Sequence, residues 1–478
     1  MALFTPTILN PEDLTVAAHS FLPDAVFKAY DIRGVVPGQL DAVFAQTLGL
    51  ALAELAREQG IDALVVGYDG RHSSPGLAAG LQDGLNQGGI DTIDIGCVPT
   101  PLVYFGAHVQ QTGSGVAITG SHNPPQYNGF KMMMGGKTLH GDDIQALKRV
   151  MENLQPTDGL APGKRETRDL RLAYVERIAS DVLLQRPMKI AIDCGNGAGG
   201  IIAADLFKAL GCQVDTLYCD VDGDFPNHHP DPADPRNLAD LIAHVRQSDC
   251  EIGLAFDGDA DRLGVVTKSG QIIWPDRQLI LYARDILDRL PGSQIIFDVK
   301  CSRHVAKAVK HAGGKPIMAQ TGHSMIKAKL AQTGAPLAGE MSGHIFFKER
   351  WYGFDDGLYT GARLLEILSA HDDPSELLED LPQDISTPEL KMDMPEGLSH
   401  ALISRLQSEA EFPHATSITT IDGVRAEYND GFGLARASNT TPVIVLRFEG
   451  DTPQALERIQ DEFRQAFAAL DPGLKLPF

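Results

Sequence analysis

The chain has 478 residues, too many for one hydrophobic core of ordinary size, and its length favours three or four domains of about 100 to 150 residues. Lys and Arg number 41 against 63 Asp and Glu, and the net charge of -22 argues against a general nucleic-acid or anionic-membrane surface. The six cysteines form no C-x-x-C pair, which favours reduced thiols in a cytoplasmic protein. We predict neither a signal peptide nor a membrane span.

Three segments of the chain share one plan. In each, an apolar strand ends in a loop rich in Gly or polar residues, a helix follows, a glycine breaks it, and a second strand leads to another polar loop. The copies begin near Leu64, Lys189 and Gln294, and a spacing of this size matches one α/β domain per copy. Such strands predict sheets covered on both faces, with ligands bound at the carboxyl ends of the strands.

The last hundred residues follow a different plan. The stretch "GFGLARASNTTPVIVLRFEG" predicts two strands around a polar turn, and "TPQALERIQDEFRQAFAAL" predicts a helix because its apolar residues recur at helical spacing. We therefore predict a fourth domain of α+β character. The predicted domain boundaries are 1–165, 166–270, 271–385 and 386–478.

The first motif is "TGSHNPPQYNGFK", which follows the apolar run "GVAI". It places Ser121 in a Gly/Asn/Pro-rich turn without an adjacent base. A hydrolase nucleophile elbow needs glycine two residues before and after the serine, but Thr119 and Asn123 stand there. The stretch alone fits an ordinary polar turn equally well.

The second motif is "LAFDGDADRLGVV", in which Asp257, Asp259 and Asp261 alternate directly after an apolar strand. Three crowded carboxylates repel one another unless a cation lies among them, and their hard oxygens suit Mg²⁺ or Mn²⁺. An EF-hand is excluded because Arg262 replaces the turn glycine and Lys268 replaces the bidentate glutamate. A solvated acidic turn is the less favoured alternative.

The third motif, "DCGNGAGGIIAADLF", fits the dinucleotide pattern G-x-G-x-x-G through Gly195, Gly197 and Gly200, with Asp215 about 20 residues further on. It would support a dinucleotide-dependent oxidoreductase. It is also one of three equivalent strand-loop-helix turns, which need closely packed glycines for structural reasons. We favour the structural interpretation.

Two further turns are rich in polar groups. In "LAGEMSGHIFF" a carboxylate and a hydroxyl are the groups that bind vicinal sugar hydroxyls, and a surface turn is the alternative; the residues are Glu340, Ser342 and His344. In "ARASNTTP" a guanidinium fork and several hydroxyls would make a phosphate cradle, and a plain polar hairpin is the alternative. Its candidates are Arg436, Ser438, Asn439, Thr440 and Thr441.

Together these motifs resemble the α-D-phosphohexomutase superfamily. "TGSHNPPQYNGFK", "DGDADR", "GEMSGH" and "RASNTTP" are similar to its four signature loops, in order and one per domain, and "KAYDIRG" and "TGHSMIK" extend the match over nearly the whole chain. The last two signature loops are similar to the bacterial phosphomannomutase/phosphoglucomutase branch, whereas phosphoglucosamine mutases usually carry Gln where Met341 stands. The resemblance implies four domains around a central cleft: three related α/β domains with mixed sheets and a C-terminal α+β domain.

The resemblance also implies an activity. It is that of an isomerase, which interconverts the 1- and 6-phosphates of mannose and glucose through a phosphoserine at Ser121 and a hexose 1,6-bisphosphate that also serves as activator. One Mg²⁺ would be held by the Ser121 phosphate with Asp257, Asp259 and Asp261. A phosphoglucosamine mutase of the same superfamily, an oxidoreductase and a non-catalytic sugar-phosphate-binding protein are the alternatives.

The remaining roles follow from the same resemblance. Arg262 and His122 would steady the transferring phosphate, and Lys131, Arg33 or His323 would act as general acid or base. The substrate would be bound by Tyr30, Lys300, Glu340, Ser342, His344, Arg436, Ser438, Asn439 and Thr440. The basic side chains among these candidates would let one cleft bind a dianion despite the net charge of -22. They are Arg33, Lys131, Arg262, Lys300 and Arg436. We predict a cytoplasmic monomer that binds hexose phosphates and neither nucleic acid nor membranes.

Overall fold

The computed structural model describes residues 22–395, 397–439 and 441–478. These residues form two compact units. Unit 1 runs to Leu263 and includes Asp356–Ala362; unit 2 comprises Gly264–Asp355 and Arg363–Phe478. Most of the N-terminal segment before "FKAYDIRG" lies outside the described residues.

The first sheet of unit 1 is mixed. Its strands are β1 (Ile32–Val35), β2 (Ala63–Tyr68), β3 (Asp91–Cys97), β4 (Gly115–Ile118), β5 (Tyr127–Met134), β6 (Lys137–Thr138) and β7 (Arg165–Thr167). The order is β1-β5-β4-β2-β3-β7, with β6 beside β5. Strand β2 is parallel to β3 and β4, whereas β5 is antiparallel to β4 and β1. The accompanying helices are α1 (Ala42–Glu58), α2 (Ser74–Gln87), α3 (Thr100–Val109) and α4 (Asp142–Glu152).

The second half of unit 1 begins with helix α5 (Arg171–Ala179) and contains three parallel strands. These are β8 (Lys189–Asp193), β9 (Gln213–Leu217) and β10 (Ile252–Phe256), and β8 pairs with both neighbours. Helices α6 (Ala203–Ala209) and α7 (Ala239–Gln247) accompany them. Every residue of β10 is buried, as expected for a strand covered on both faces.

Unit 2 contains the third α/β sheet. The elements that follow in chain order are β11 (Leu263–Thr267), β12 (Ile272–Ile273), α8 (Pro275–Arg289), β13 (Gln294–Asp298), α9 (Arg303–His311), β14 (Lys315–Ala319), α10 (His323–Thr333), β15 (Leu337–Gly339), β16 (Ile345–Phe347) and α11 (Gly357–Leu368). Of these, β11 and β12 pair with each other and are not part of the third sheet. The sheet order is β14-β13-β15-β16. Strand β13 is parallel to β14 and β15, and β16 is antiparallel to β15, so this sheet is mixed as well.

The C-terminal part of unit 2 is α+β, as predicted. It comprises α12 (Pro374–Glu379), β17 (Ile385–Ser386), β18 (Leu390–Asp393), α13 (Leu398–Glu409), β19 (Ser417–Thr419), β20 (Val424–Tyr428), β21 (Gly431–Ala437), β22 (Val443–Gly450) and α14 (Pro453–Leu470). All strand pairs of its sheet are antiparallel. The predicted hairpin is β21 and β22. Helix α14 begins after Thr452, whose side chain accepts a hydrogen bond from the Ala455 N–H.

The three repeats predicted from the sequence are confirmed. They correspond to β2-α2-β3, β8-α6-β9 and β13-α9-β14, and each pairs two parallel strands through a helix. A buried aspartate stands at the carboxyl end of each first strand: Asp69, Asp193 and Asp298. The polar loops therefore begin from the same point in every copy. Among the described residues, no helix is both long and apolar enough to cross a membrane.

Glycines allow α1 and α2 to pack backbone against backbone. A Cβ atom at Gly49 would lie 2.2 Å from the Leu81 carbonyl oxygen, and one at Gly84 would lie 2.0 Å from the Gln46 carbonyl oxygen. Neither distance is possible for a real side chain. The helix pair therefore requires these glycines for close approach, although α-helices usually disfavour glycine.

We expect Gly84→Ala to lower the free energy of unfolding by about 1 to 3 kcal/mol, because the methyl group would push α1 and α2 apart. Gly76→Ala in the same helix is the matched control, since a Cβ there meets nothing within 4 Å. The control should raise stability slightly, because it removes backbone entropy from the unfolded chain. Thermal unfolding measures both variants, and equal melting temperatures would contradict the packing argument.

Candidate active site

Ser121 lies in the loop between β4 and β5, residues 119–126, which we call the serine loop. The residue is buried, and its backbone is left-handed with φ 49°, a conformation that costs free energy for any residue except glycine. Its N–H donates to Thr119 Oγ1 at 2.8 Å. Its hydroxyl donates to Asp257 Oδ2 at 2.9 Å and lies 3.2 Å from Nδ1 of His122. The serine therefore faces the carboxylates that the sequence singled out.

Those carboxylates lie in the acidic loop, residues 257–262, directly after β10. Asp257, Asp259 and Asp261 are fully buried, and one oxygen of each lies within 4.8 Å of the others. A Cβ at Gly258 would lie 2.3 Å from the Ser121 carbonyl oxygen, so the acidic loop and the serine loop are in direct backbone contact. Thr100 Oγ1 donates to Asp259 Oδ2 at 2.6 Å and fixes that carboxylate from α3.

Two cations face the three carboxylates. Lys131 Nζ on β5 lies 2.7 Å from Asp259 Oδ2 and 2.5 Å from Asp261 Oδ2. Arg262 Nε lies 3.8 Å from Asp257 Oδ2, and the Arg262 backbone N–H donates to Asp257 Oδ1. Three carboxylates against these two cations leave one negative charge in excess. A bound divalent cation would reverse that balance.

The excess negative charge affects the pKa values of the aspartates unequally. Burial, followed by the charges of Asp261 and Asp259, raises the pKa of Asp257 well above its ordinary value. Burial and Asp261 also act to raise the pKa of Asp259, but Lys131 and the hydrogen bonds from Lys131 and Thr100 hold it below its ordinary value. Repulsion is therefore relieved at Asp259 and remains at Asp257.

The arrangement fits a hard divalent cation. Carboxylate oxygens are the preferred ligands of such ions. Within the described part of the chain, the buried Oδ1 of Asp259 has no hydrogen-bond partner. An acceptor of this kind costs free energy unless something binds it. The acidic loop can therefore hold a metal ion, as the sequence predicted.

Other candidates from the N-terminal half lie around the serine loop. Arg33 on β1 donates through Nη1 to Asn123 Oδ1 at 2.7 Å and through Nη2 to Asp31 Oδ2 at 2.5 Å. Its guanidinium is thus held against the turn that carries Ser121. Tyr30 stands two residues before β1 and is half-buried.

In unit 2, three candidates meet in the turn between β15 and β16. Glu340 Oε1 accepts the Gly322 N–H at 2.5 Å, and Oε2 lies 3.1 Å from His344 Nδ1. Ser342 Oγ lies 3.1 Å from the same imidazole nitrogen. Burial would raise the pKa of Glu340, but His344 and the Gly322 N–H outweigh it and lower the pKa. The turn therefore presents a charged, buried hydrogen-bond acceptor.

His323 lies beside this turn. It opens α10, and its Nδ1 is 3.5 Å from Asp355 Oδ2. Its ring centroid lies 5.7 Å from that of His344. Lys327 Nζ, one turn along α10, is 2.9 Å from Asp355 Oδ1. The sequence motifs did not identify Asp355, which lies in none of them, and they gave no role to Lys327, although it ends the quoted stretch "TGHSMIK".

The two predicted cations of unit 2 are both buried and paired. Lys300 Nζ, after β13, lies 2.9 Å from Glu389 Oε2, and Arg436 Nε on β21 lies 2.9 Å from Asp422 Oδ2. The charge of Lys300 is the main cause that lowers the pKa of Glu389 to about 2. Burial opposes the charge on Lys300, but Glu389 and Asp298 raise its pKa. Both side chains therefore stay cationic.

The polar turn after β21 is described only in part. The Ser438 N–H donates to the Val443 carbonyl at 2.9 Å, and the Thr441 hydroxyl donates to Ser438 Oγ at 3.0 Å. Asn439 is half-buried in the same turn. Thr440 lies outside the described residues, so its predicted role stays a prediction.

The glycines of the dinucleotide-like pattern have packing roles. A Cβ at Gly197 would lie 2.7 Å from the Gly258 carbonyl oxygen, and one at Gly200 would lie 1.9 Å from the Cys219 carbonyl oxygen. The segment thus supports the acidic loop through its backbone. This favours the structural interpretation of the motif over the dinucleotide one.

The sequence analysis did not identify Asp69 and Arg71, whose side chains form hydrogen bonds to the serine loop. Asp69 Oδ2 accepts hydrogen bonds from Thr119 Oγ1 at 2.9 Å and from the Gly120 N–H at 3.1 Å. Arg71 binds four carbonyl oxygens along the same loop and its end. The available signal was the repeat itself, since Asp69 follows β2 where Asp193 ends β8.

The family models for phosphoglucomutase/phosphomannomutase match the chain in sequence order. The alpha/beta/alpha domains I, II and III match residues 24–158, 172–270 and 274–385, and the C-terminal domain matches 389–466. The chain therefore belongs to the phosphoglucomutase/phosphomannomutase family. The predicted α-D-phosphohexomutase resemblance and the four-domain fold class are confirmed.

Individual relatives cover nearly the whole chain. A phosphoglucomutase of Neisseria gonorrhoeae is 57% identical over 444 residues, which span 92% of this chain and 96% of that protein. A phosphomannomutase/phosphoglucomutase of Pseudomonas aeruginosa is 51% identical over 466 residues, 97% of this chain and 100% of that protein. A crystal structure of a phosphoglucomutase/phosphomannomutase family protein from Burkholderia thailandensis superposes with a TM-score of 0.91 at 55% identity and covers 96% of this chain and 100% of that one.

We expect Asp257→Asn to raise the stability of the metal-free protein by on the order of 1 to 2 kcal/mol. A carboxyl whose pKa is raised by folding binds its proton more tightly in the folded state, so its ionisation costs stability as the pH rises above the ordinary carboxyl range. The advantage of the variant should therefore grow between about pH 5 and pH 7.

Thermal unfolding in a chelating buffer measures this difference, with the exposed Asp158→Asn as the matched control. The control should show no such pH-dependent advantage. Added Mg²⁺ should stabilise the wild type more than Asp257→Asn. If the variant is less stable than the wild type at pH 7 without metal, ionised Asp257 does not destabilise the folded protein and the prediction is wrong.

Proposed function

We propose that this protein is a phosphomannomutase/phosphoglucomutase. It interconverts hexose 1-phosphates and hexose 6-phosphates through a phosphoserine at Ser121 and a bound hexose 1,6-bisphosphate. The observation that carries the proposal is the Ser121 hydroxyl, which lies 2.9 Å from Asp257 in a cluster of three buried carboxylates and two cations. The names of the relatives support it from the sequence side.

Unit 1 carries the phosphoryl-transfer chemistry in this proposal. A serine hydroxyl is a weak nucleophile, but a phosphoserine is a phosphoryl donor once its charge is balanced, so no Ser-His-Asp triad is needed. Asp257, Asp259 and Asp261 would hold Mg²⁺ together with one oxygen of the serine phosphate. When bound, the ion neutralises charge on the phosphoryl group in transit.

The side chains around the serine have separate tasks. His122 Nδ1, 3.2 Å from Oγ, is placed to donate to a phosphate carried on that oxygen. Arg262 adds positive charge next to Asp257, where the excess of negative charge is greatest. Lys131 fixes the orientation of Asp259 and Asp261 through two short contacts.

A proton must leave the sugar hydroxyl that attacks the phosphoserine and return in the reverse reaction. Among Lys131, Arg33 and His323, only the histidine ordinarily titrates near neutral pH, which suits transfer in both directions. The Lys131 ammonium is stabilised by two carboxylates, and the Arg33 guanidinium by Asp31. We therefore assign the proton transfer to His323, whose Nδ1 lies 3.5 Å from Asp355 Oδ2.

Unit 2 carries sugar and phosphate recognition in this proposal. Glu340 and Ser342 would bind the hydroxyls O3 and O4, with His344 orienting both. The phosphate that is not being transferred would be bound by Lys300, Arg436, Ser438, Asn439 and Thr440, and Tyr30 would assist. Glucose and mannose differ only at O2, so a site that binds O3 and O4 accepts both sugars.

The alternative substrate class is glucosamine phosphate. Met341, where phosphoglucosamine mutases usually carry Gln, donates only its backbone N–H to Asp298 Oδ1 at 3.2 Å in the described contacts. An apolar side chain there disfavours recognition of an amino sugar. We also propose that the protein is cytoplasmic, which is consistent with its six free thiols. We propose that it is a monomer and that its domain boundaries lie at residues 165, 270 and 385.

Ser121→Ala should lower kcat for the conversion of mannose 1-phosphate to mannose 6-phosphate by at least about 1000-fold, because the covalent step is lost. Mass spectrometry of the resting wild type should find phosphate on Ser121 in part of the population. Ser180→Ala is the matched control, since Ser180 is exposed and its hydroxyl donates to the Arg177 carbonyl. Full activity of Ser121→Ala would refute the covalent role.

Glu340→Gln keeps the size of the side chain and the acceptor for the Gly322 N–H but removes the charge. We expect kcat/KM to fall about 10- to 100-fold for glucose and mannose phosphates alike, the range for a lost hydrogen bond to a charged group. The exposed Glu376→Gln on α12 should change neither value. A loss confined to one sugar would mean that Glu340 reads O2 instead of O3 and O4.

A further inference from the structure

Arg71 is one of the most deeply buried charged side chains in unit 1. It follows β2 in the segment "YDGRHSS", and its side chain is 0% exposed. Burying a guanidinium is costly unless its N–H groups are all bonded and its charge is paired. The partners of Arg71 therefore indicate what the residue is for.

All five N–H groups of the guanidinium are used. The Nε–H donates to Asp69 Oδ2 at 3.0 Å. Nη1 donates to the carbonyl oxygens of Pro124 at 2.6 Å and Tyr127 at 3.0 Å. Nη2 donates to the carbonyl oxygens of Ser121 at 2.7 Å and Asn123 at 2.6 Å. Four of the five acceptors are thus backbone oxygens spaced along the serine loop and its last turn.

These bonds impose a shape on the loop. Peptide carbonyls do not converge spontaneously, because their dipoles repel one another, and a cation at the centre removes that repulsion. The Ser121 carbonyl is turned inward to Nη2 while the residue keeps its left-handed backbone. That conformation persists only where the surroundings enforce it. With the carbonyl fixed, the Ser121 hydroxyl is left facing Asp257.

An independent observation comes from Gly120. A Cβ atom at this position would lie 2.5 Å from both Cζ and Nε of Arg71. The glycine of the signature loop is therefore the space into which the guanidinium packs. Asp69 completes the support, since it accepts from Arg71 Nε and from the Gly120 N–H on the same oxygen.

The guanidinium of Arg71 is also shielded from water within unit 1. The Phe225 ring lies 5.1 Å from Arg71 Cζ, in cation-π range. Gly223 packs so closely that a Cβ there would lie 2.8 Å from the backbone nitrogen of His72. Hydrogen bonds from a guanidinium buried in this way are stronger than they would be in water.

We propose that Arg71 is a positioning residue for phosphoryl transfer, which shapes the serine loop through its four backbone carbonyls and thereby sets the direction of the Ser121 hydroxyl. The proposal deepens the proposed function and rests on it. Lysine cannot replace Arg71, because an ammonium has three N–H groups and no planar fork. The residue acts through the loop and is not itself a catalytic residue.

The test compares Arg71→Lys with Arg186→Lys in the full-length protein. Arg186 is a matched control, because it makes a bidentate bond to Glu251 in the same unit at a distance in sequence from the loop. We expect Arg71→Lys to lower kcat about 100-fold, the cost of a nucleophile misplaced by about 1 Å, with KM changed less than threefold. Arg186→Lys should leave both constants near wild type.

Hydrogen-deuterium exchange gives a readout that does not depend on activity. Peptides covering residues 119–130 should exchange faster in Arg71→Lys, while peptides from β8 and β10 stay protected. Gly120→Ala, which displaces the guanidinium from the other side, should give the same local pattern. Guanidinium ion added to Arg71→Ala should restore part of kcat, and it should restore none in Ser121→Ala.

Wild-type kcat and wild-type loop exchange in Arg71→Lys would overturn the proposal. Uniformly faster exchange across unit 1 would also overturn it, because Arg71 would then serve general stability. A wild-type protein without mutase turnover would refute the proposed function instead. The exchange of residues 119–130 would still decide whether Arg71 shapes the loop.

Discussion

The structure depends on holding three like charges together in a buried place. Asp257, Asp259 and Asp261 would separate if the chain allowed it, and the surrounding elements prevent this. Lys131 from β5 and Thr100 from α3 fix Asp259, while the backbone of Gly258 is pressed against Ser121. The remaining repulsion is stored at Asp257, one hydrogen bond from the serine hydroxyl. A site with this charge balance favours the binding of a cation.

Each of the three α/β repeats contains the same structural feature, and its contacts differ from one repeat to the next. An aspartate at the carboxyl end of the first strand accepts hydrogen bonds from the loops that follow. Asp69 fixes Arg71 and Thr119, Asp193 binds His228 and the Gly195 N–H, and Asp298 binds Thr321 and the Met341 N–H. The plan thus brings polar loops to one sheet edge in each copy, and the loop sequences decide what each edge does.

Much of this was predictable from local patterns. The three repeats and the C-terminal hairpin follow from strand and helix periodicity, and alternating aspartates after an apolar strand predict their own clustering. Contacts between residues far apart in sequence were not predictable. Asp355 lies outside every motif, Lys327 ends "TGHSMIK" without any sign of its partner, and the bonds of Arg71 to residues 121–127 join segments about 50 residues apart. A periodic pattern shows which face is buried, but it does not show which loop a buried charge will meet.

In the proposed mechanism, Ser121 carries the phosphoryl group. The most direct measurement is to incubate the dephosphorylated protein with glucose 1,6-bisphosphate labelled in its phosphates and to map the label by peptide mass spectrometry. We expect label on Ser121, Mg²⁺-dependent uptake, and release of the label to added glucose 1-phosphate. No label, or label on another residue while Ser121 stays unmodified, would contradict it.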